Sequence, residues 1–168
     1  MQAVAEQITY EKSERPTADE LLEFYDRQNH RTTQDRVKIE QMLENTTCFV
    51  TARHNGALIG IARGMTDGVV GHLAECKLDP AYQGPACVTH TDGRIEHDTS
   101  GIARDMAILV IEALRGRGAD RIQVLAYGTE VDFCGELGFR PMRGVVALER
   151  QAKAPLPGGG SARSRTNR

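Results

Sequence analysis

Polar and apolar positions alternate through Ile8-Thr9-Tyr10-Glu11, the period of a strand, and then change to helical spacing at Leu21, Leu22, Phe24 and Tyr25. Thr17-Ala18-Asp19-Glu20 carries the threonine and the glutamate of a capping box, so the first helix is expected to open there. A second helix is expected from about residue 34 to residue 43, with Val37, Ile39, Met42 and Leu43 on its inner side. Cys48-Phe49-Val50-Thr51-Ala52 and Leu58-Ile59-Gly60-Ile61-Ala62 read as strands joined through His54-Asn55-Gly56-Ala57, where Asn-Gly accepts the positive φ of a tight hairpin. Asp67-Gly68 marks a second hairpin, leading into a strand from Val69 to Leu78.

Beyond Gly101 the helical period returns. Ile102, Met106, Leu109, Val110 and Ala113 form one stripe, which Arg115-Gly116-Arg117-Gly118 closes with cations and glycine. Residues 121–127 read as an apolar strand, residues 129–137 as a short helix, Gly138 as a turn, and Val145-Val146-Ala147-Leu148 as a last strand. This order predicts an α/β (α+β) fold, a single mixed sheet with helices on both faces. Residues 1–150 are expected to form one domain, and residues 151–168 a disordered basic tail, since Pro155-Leu156-Pro157-Gly158-Gly159-Gly160-Ser161 and the polar and basic residues after it cannot bury apolar area.

Charge sharpens this division. The chain carries a net −2, but the tail holds Lys153, Arg163, Arg165 and Arg168 without an acid, which leaves residues 1–150 with 17 basic against 23 acidic side chains, a net of −6. An acidic body argues against nucleic acid as the main partner and suits a cationic or amine substrate. The four cysteines, Cys48, Cys76, Cys87 and Cys134, are widely spaced and read as reduced thiols. The first nine residues lack a basic patch followed by an apolar run, and no apolar stretch approaches the ~20 residues of a membrane span, so a cytoplasmic protein without a membrane partner is expected.

The chemistry concentrates in two short stretches. Leu78-Asp79-Pro80-Ala81-Tyr82-Gln83-Gly84 ends on a glycine, and Gly101-Ile102-Ala103-Arg104-Asp105-Met106-Ala107 begins with one and opens a helix. Joined, they read strand, tight glycine turn, helix start, with free N–H groups converging on one point, an arrangement that holds a phosphate or pyrophosphate. Sixteen residues, 85–100, separate the two glycines.

These two stretches, with Leu58-Ile59-Gly60-Ile61-Ala62-Arg63 before them and Glu136-Leu137-Gly138-Phe139-Arg140-Pro141 after them, make the chain resemble the GNAT superfamily of acyl-CoA-dependent N-acetyltransferases. The resemblance runs in element order over residues 8–149. It implies a mostly antiparallel sheet in which the strand ending at Leu78 splays from a parallel neighbour at Ile122 to Leu125. It further implies acetyl-CoA as donor substrate, its pantetheine arm against the backbone near Cys76 and Leu78, with Gln83, Gly84, Gly101, Ile102 and Ala103 around its pyrophosphate and Arg104 and Arg63 as candidate phosphate contacts. A primary amine of a small molecule, or of a peptide, is the implied acceptor, and pairing into a homodimer is common in the family.

Family chemistry implies a base that takes the ammonium proton and an acid that protonates the leaving thiolate. Glu75 is the candidate base, although simple alternation puts it on one face with Leu73 and Lys77, where a solvent-facing carboxylate is the competing reading. The family's acid is often a tyrosine in Phe-Tyr-x-x-Leu-Gly-Phe. Here Phe133-Cys134-Gly135-Glu136-Leu137-Gly138-Phe139 places Cys134 at that position, with Tyr127 as surrogate acid or lip of the slot. Tyr25 and His30 end the first helix and would face the acceptor, or serve as a core tyrosine and a surface histidine.

Residues 85–100 stand where the family pattern has a single residue. Cys87, His90, Asp92, Glu96, His97 and Asp98 make this insert rich in ligand types, but their spacing matches no zinc pattern, so no metal is expected and a solvated polar loop is the reading. The insert and Cys134 leave a second function class open: a GNAT-fold protein without turnover that senses a ligand or binds a partner. A nucleic-acid binder using the basic tail is a third, and would show a steep salt dependence.

Overall fold

The computed structural model of the 168-residue chain describes residues 7–28, 35–84, 94–95, 98–128 and 130–158. Its elements run β1 (Ile8–Glu11), α1 (Ala18–Arg27), α2 (Arg36–Asn45), β2 (Cys48–His54), β3 (Ala57–Thr66), β4 (Val70–Leu78), α3 (Ile102–Gly116), β5 (Arg121–Val124) and α4 (Glu130–Glu136), with a 3-10 turn at Pro80–Tyr82. The five strands lie in sequence order in one sheet. Neighbours are antiparallel from β1 to β4, and β4 and β5 are parallel. The expected mixed sheet with helices on both faces is what forms. No described helix is long and apolar enough to cross a membrane.

The helices begin where their sequences provide caps. Thr17 accepts from Glu20 N–H at 3.2 Å at the start of α1, and Asp35 accepts from Val37 N–H at 3.0 Å at the start of α2. Leu21 and Phe24 of α1 and Ile39 of α2 are fully buried with Phe49, Leu58 and Ile61 of the sheet, each fully buried apolar side chain stabilising by about 1.5–3 kcal/mol. Val37, expected on the inner side, is instead 59% exposed. It precedes Ile39 by about 200° of helix rotation, whereas Ile39, Met42 and Leu43 keep the i, i+3, i+4 spacing that faces a core.

The opposite face is covered by α3, whose Met106, Ala107, Val110 and Leu114 pack on Val50, Ala52, Ala62, Leu73 and Leu78, with Phe133 and Cys134 of α4 in the same cluster. Two β-bulges set which side chains face which helices. Ala52 pairs with Gly60 and Arg53 with Leu58, so Ile59 is the extra residue of β3 and joins the α3 side while Leu58 joins the α1 side. Arg63 pairs with Glu75 and Gly64 with Leu73, so Ala74 is the extra residue of β4.

Two sequence expectations fail at the C-terminal end. The strand expected over residues 121–127 stops at Val124, and Leu125 is 68% exposed. The strand expected at Val145-Val146-Ala147-Leu148 does not form, and Leu148 is 91% exposed. That run has no period-two alternation to assign a buried face, and Gly144 at φ 75 turns the chain just before it. Arg150 instead donates to the carbonyls of Gln151, Ala154 and Pro155 in a local turn, and residues 151–158 carry neither helix nor strand.

Two glycines of β3 let α3 approach the sheet. A Cβ on Gly64 would stand 2.7 Å from Val110 Cγ1, 3.0 Å from Cys48 Sγ and 3.0 Å from Leu114 Cδ1, while one on Gly60 would chiefly meet the flexible end of Met106. Gly64→Ala is therefore expected to lower stability by about 1–3 kcal/mol, the cost of overpacking, and Gly60→Ala by less, as read from urea unfolding midpoints. Equal effects would mean that α3 moves as a body and does not repack locally.

Candidate active site

β5 pairs with β4 only from Val70↔Arg121 to Leu73↔Val124. The next residue of β4 is the bulged Ala74, and the stretch from Glu75 to Leu78 has no β5 partner among the described residues. A bulge bends and twists its strand, and here the two strands part directly after it. Between them lies a cavity of about 240 Å³ whose lining includes Glu75, Lys77, Arg94, Tyr127, Glu130 and Cys134. A larger hollow of about 640 Å³ over α2, lined by Arg15, Val37, Glu40, Gln41, Leu43 and Glu44, is made mostly of exposed side chains. Arg15 there is spent on the carbonyls of Leu43 and Thr46.

The bulge decides the environment of Glu75. Leu73, Cys76 and Leu78 belong to the α3 side, and Glu75 reaches α1, so it does not share a face with Leu73 as unbroken alternation would require. Its side chain is only 10% exposed. Tyr25 Oη donates to it, lying 2.8 Å from Oε1 and 3.0 Å from Oε2, and Arg63 Nε donates to Oε2 at 2.9 Å. Burial, then the adjacent Glu75 charge, pushes the Tyr25 phenol well up, which keeps it protonated as the donor. Arg63, a candidate phosphate contact from sequence, is thus committed to Glu75.

Across the slot, Cys134 is buried, and burial followed by the Glu130 carboxylate raises its thiol to about 11. Tyr127 is 56% exposed, with the Arg94 guanidinium 4.7 Å above its ring centroid and 3.9 Å from Glu130. Cys76 is buried, its Sγ directed at Ala103 O at 3.8 Å, and burial pushes its thiol up.

The two glycine ends adjoin. Thr99 N–H and Oγ1 donate to Gln83 O at 3.5 and 3.2 Å, and Ser100 Oγ donates to Tyr82 O at 2.9 Å. Both junction residues need glycine: Gly84 has φ 119 and its absent Cβ would fall 2.7 Å from Thr99 Oγ1, while Gly101 has φ 76. Ile102 and Ala103 are buried at the start of α3, and the Arg104 side chain is exposed. Gln83 is placed differently from expectation, fully buried, with Nε2 donating to Leu78 O at 2.8 Å and Arg94 O at 2.9 Å. Its amide braces the cradle from inside, and the Leu78 carbonyl, in the backbone expected to lie along a pantetheine, accepts one of its bonds.

The first turn of α3 suits an anion, as a protein anion demonstrates. Asp98 Oδ1 accepts from Ala103 N–H at 3.1 Å and Oδ2 from Arg104 N–H at 2.9 Å. A hydrogen bond to a charged group is worth about 1.5–3 kcal/mol, and the helix start adds favourable charge. The residues present therefore fit a donor phosphate, with Asp98 as its stand-in, and the parted strands fit an extended arm.

Sequence reasoning misses Asp98, Arg94, Glu130 and the buried Lys77 as parts of this site. Asp98 reads from sequence as one polar residue of a solvated insert, and only its position three residues before the helix-capping glycine hints otherwise. Cys87, His90, Asp92, Glu96 and His97 of the insert, and His30, expected at the end of the first helix, lie outside the described residues.

The raised Cys134 thiol has two measurable consequences. Its thiolate fraction at pH 8 is about one part in a thousand, so alkylation by iodoacetamide is expected to be slow at pH 8 and to accelerate only toward pH 11. The unfolded thiol loses its proton near pH 9 and the folded one near 11. The folded state therefore binds more protons in that window, and stability contributed by this group falls as pH rises through it. Rapid alkylation of Cys134 at pH 8 would contradict the buried placement.

No protein-family model matches the sequence, and no curated protein matches it either. Solved structures do. A GNAT-family acetyltransferase from Streptococcus pneumoniae aligns with a TM-score of 0.64 at 19% identity over 86% of this chain and 100% of that one. The aminoglycoside N-acetyltransferase AAC(6')-Iy, solved with CoA, aligns at 0.64 and 12% identity over 90% and 99%. Glucosamine-6-phosphate N-acetyltransferase from Arabidopsis thaliana aligns at 0.63 and 10% identity over 88% and 99%. Near-complete coverage on both sides, on top of the sheet that parts after Leu73, establishes that the chain has the fold of the GNAT acetyltransferases.

Proposed function

We propose that the chain is an acyl-CoA-dependent N-acyltransferase that moves an acetyl group from acetyl-CoA to the primary amine of a small molecule. One observation carries the reading: a part-buried carboxylate held by Tyr25 and Arg63, that of Glu75, lines the slot at the point where β4 and β5 part. Solved neighbours that hold CoA, or that are named for amine-bearing acceptors, support the same chemistry.

The first turn of α3, at Ile102, Ala103 and Arg104, with Gly84 and Gly101 beside it, would hold the donor's phosphates, and the β4 side of the slot around Cys76 and Leu78 its arm. Bound acetyl-CoA supplies an acyl thioester. The rest belongs to the chain. Glu75 attracts an ammonium and takes its proton, directly or through a water, while Tyr25 and Arg63 fix the carboxylate's direction. Cys134 and Tyr127 are the proton donors on the leaving-group side. A thiol raised to about 11 keeps its proton at neutral pH, which suits an acid and not a nucleophile.

Incubation of the protein with acetyl-CoA and a panel of primary amines, following release of free thiol, tests this. Thiol release above the amine-free rate is expected for at least one amine. Glu75→Gln should lower kcat by about 10²–10⁴-fold, the range of a lost general base, with a much smaller change in acetyl-CoA affinity. Tyr25→Phe, which leaves the carboxylate but removes its donor, should lower kcat by less than Glu75→Gln does. An active Glu75→Gln enzyme would remove Glu75 from the mechanism.

A further inference from the structure

The N–H groups of Ile102, Ala103 and Arg104, in the first turn of α3, are all taken up by Ser100 and Asp98 just before it. Ile102 N–H points at Ser100 Oγ at 3.4 Å, and those of Ala103 and Arg104 at the Asp98 carboxylate, while Gly101 N–H returns to Asp98 O at 3.3 Å. The same region reaches into the slot. Arg94 stacks on Tyr127 and lies beside Glu130, its carbonyl is held by Gln83 Nε2, and Ile95 is fully buried in the α3-side core. Two separate parts of the donor site, the helix start and the gap between the strands, thus contain side chains of one stretch of chain.

Resting on the donor site assigned above, we propose that Asp98 and Arg94 are its built-in occupants: Asp98 stands in the place of a donor phosphate oxygen and Arg94 in the path of the arm, so that donor binding requires their displacement. A tethered carboxylate competes at high effective concentration for donors that a free ligand must reach from solution. Apparent affinity is then reduced by the fraction of molecules in which Asp98 has left the helix start. The exchange is of like for like, since a diphosphate offers the same amides more charge and more acceptor oxygens than one carboxylate does. Asp105, on the same turn, is an internal contrast. Its carboxylate accepts from Tyr10 Oη at 2.8 Å, and no first-turn amide donates to it among the described residues.

Calorimetric titration of coenzyme A into the full chain, the Asp98→Ala and Asp98→Asn variants and Asp105→Asn tests the proposal. Both Asp98 variants are expected to bind coenzyme A about tenfold or more tightly than the unmodified chain, and Asp105→Asn within about threefold of it. Asp98→Asn keeps a side-chain acceptor for the helix start and so guards against loss of fold in Asp98→Ala. Amide hydrogen exchange supplies a readout independent of affinity: Ala103 and Arg104 should exchange faster in Asp98→Ala and regain protection when coenzyme A is added. Equal binding by the unmodified chain and the Asp98 variants overturns the competition while leaving the donor site standing. An equal gain in Asp105→Asn also overturns it, by assigning the effect to charge alone. No binding by any variant overturns both the competition and the donor site.

Discussion

The extra residue at Ala74 is the constraint on which the site depends. Before it, β4 pairs on both edges and directs Leu73 toward α3. After it, β4 keeps β3 but loses β5, and Glu75 turns to α1. The same inserted residue opens the slot and delivers a carboxylate to its edge. A β4 without the bulge would carry Glu75 on the opposite face, away from Tyr25. The ion pair of Arg63 and Glu75 adds to this, because a polar group withdrawn from water is costly unless it is hydrogen-bonded.

Local hydrogen-bond accounting explains the other half of the site. A helix start presents unpaired N–H groups and attracts whichever anion is nearest. In this chain the residues ahead of Gly101 include an aspartate with the reach to provide one, and the turn that carries it is fastened to the preceding loop by Thr99 and Ser100, which donate to the backbone carbonyls of Gln83 and Tyr82. Closing a loop of this length costs entropy that grows only slowly with residue number. Both glycine ends can therefore meet across the insert, and the insert can supply its own anion where they meet.

Legibility from sequence tracks the range of the interactions involved. β1 is readable to the residue, since its period and its flanks are local, and the caps at Thr17 and the Asn55-Gly56 turn are equally plain. Val37 is misplaced by its apolar type alone, because its rotation relative to Ile39 sets it on another side of the helix. The environment of Glu75 escapes a sequence reading because alternation assumes an unbroken strand, and nothing in Leu73-Ala74-Glu75 announces a bulge. Residues 145–148 have strand-like composition, but a strand exists only against a partner edge, and the turn around Arg150 takes that segment elsewhere.

By itself the sequence determined the order of elements through α4, the caps and the two glycine junctions, all of which follow from short-range sterics and hydrogen bonding. Only the tertiary structure decided which carboxylate faces which partner: Glu75 to Tyr25 and Arg63, Asp98 to the amides of α3, Gln83 inward beneath the cradle. The Glu75 pairings join separate elements and depend on a one-residue shift in register, while those of Asp98 and Gln83 are short-range but depend on how the chain folds back on itself, and no pattern of polar and apolar residues encodes either.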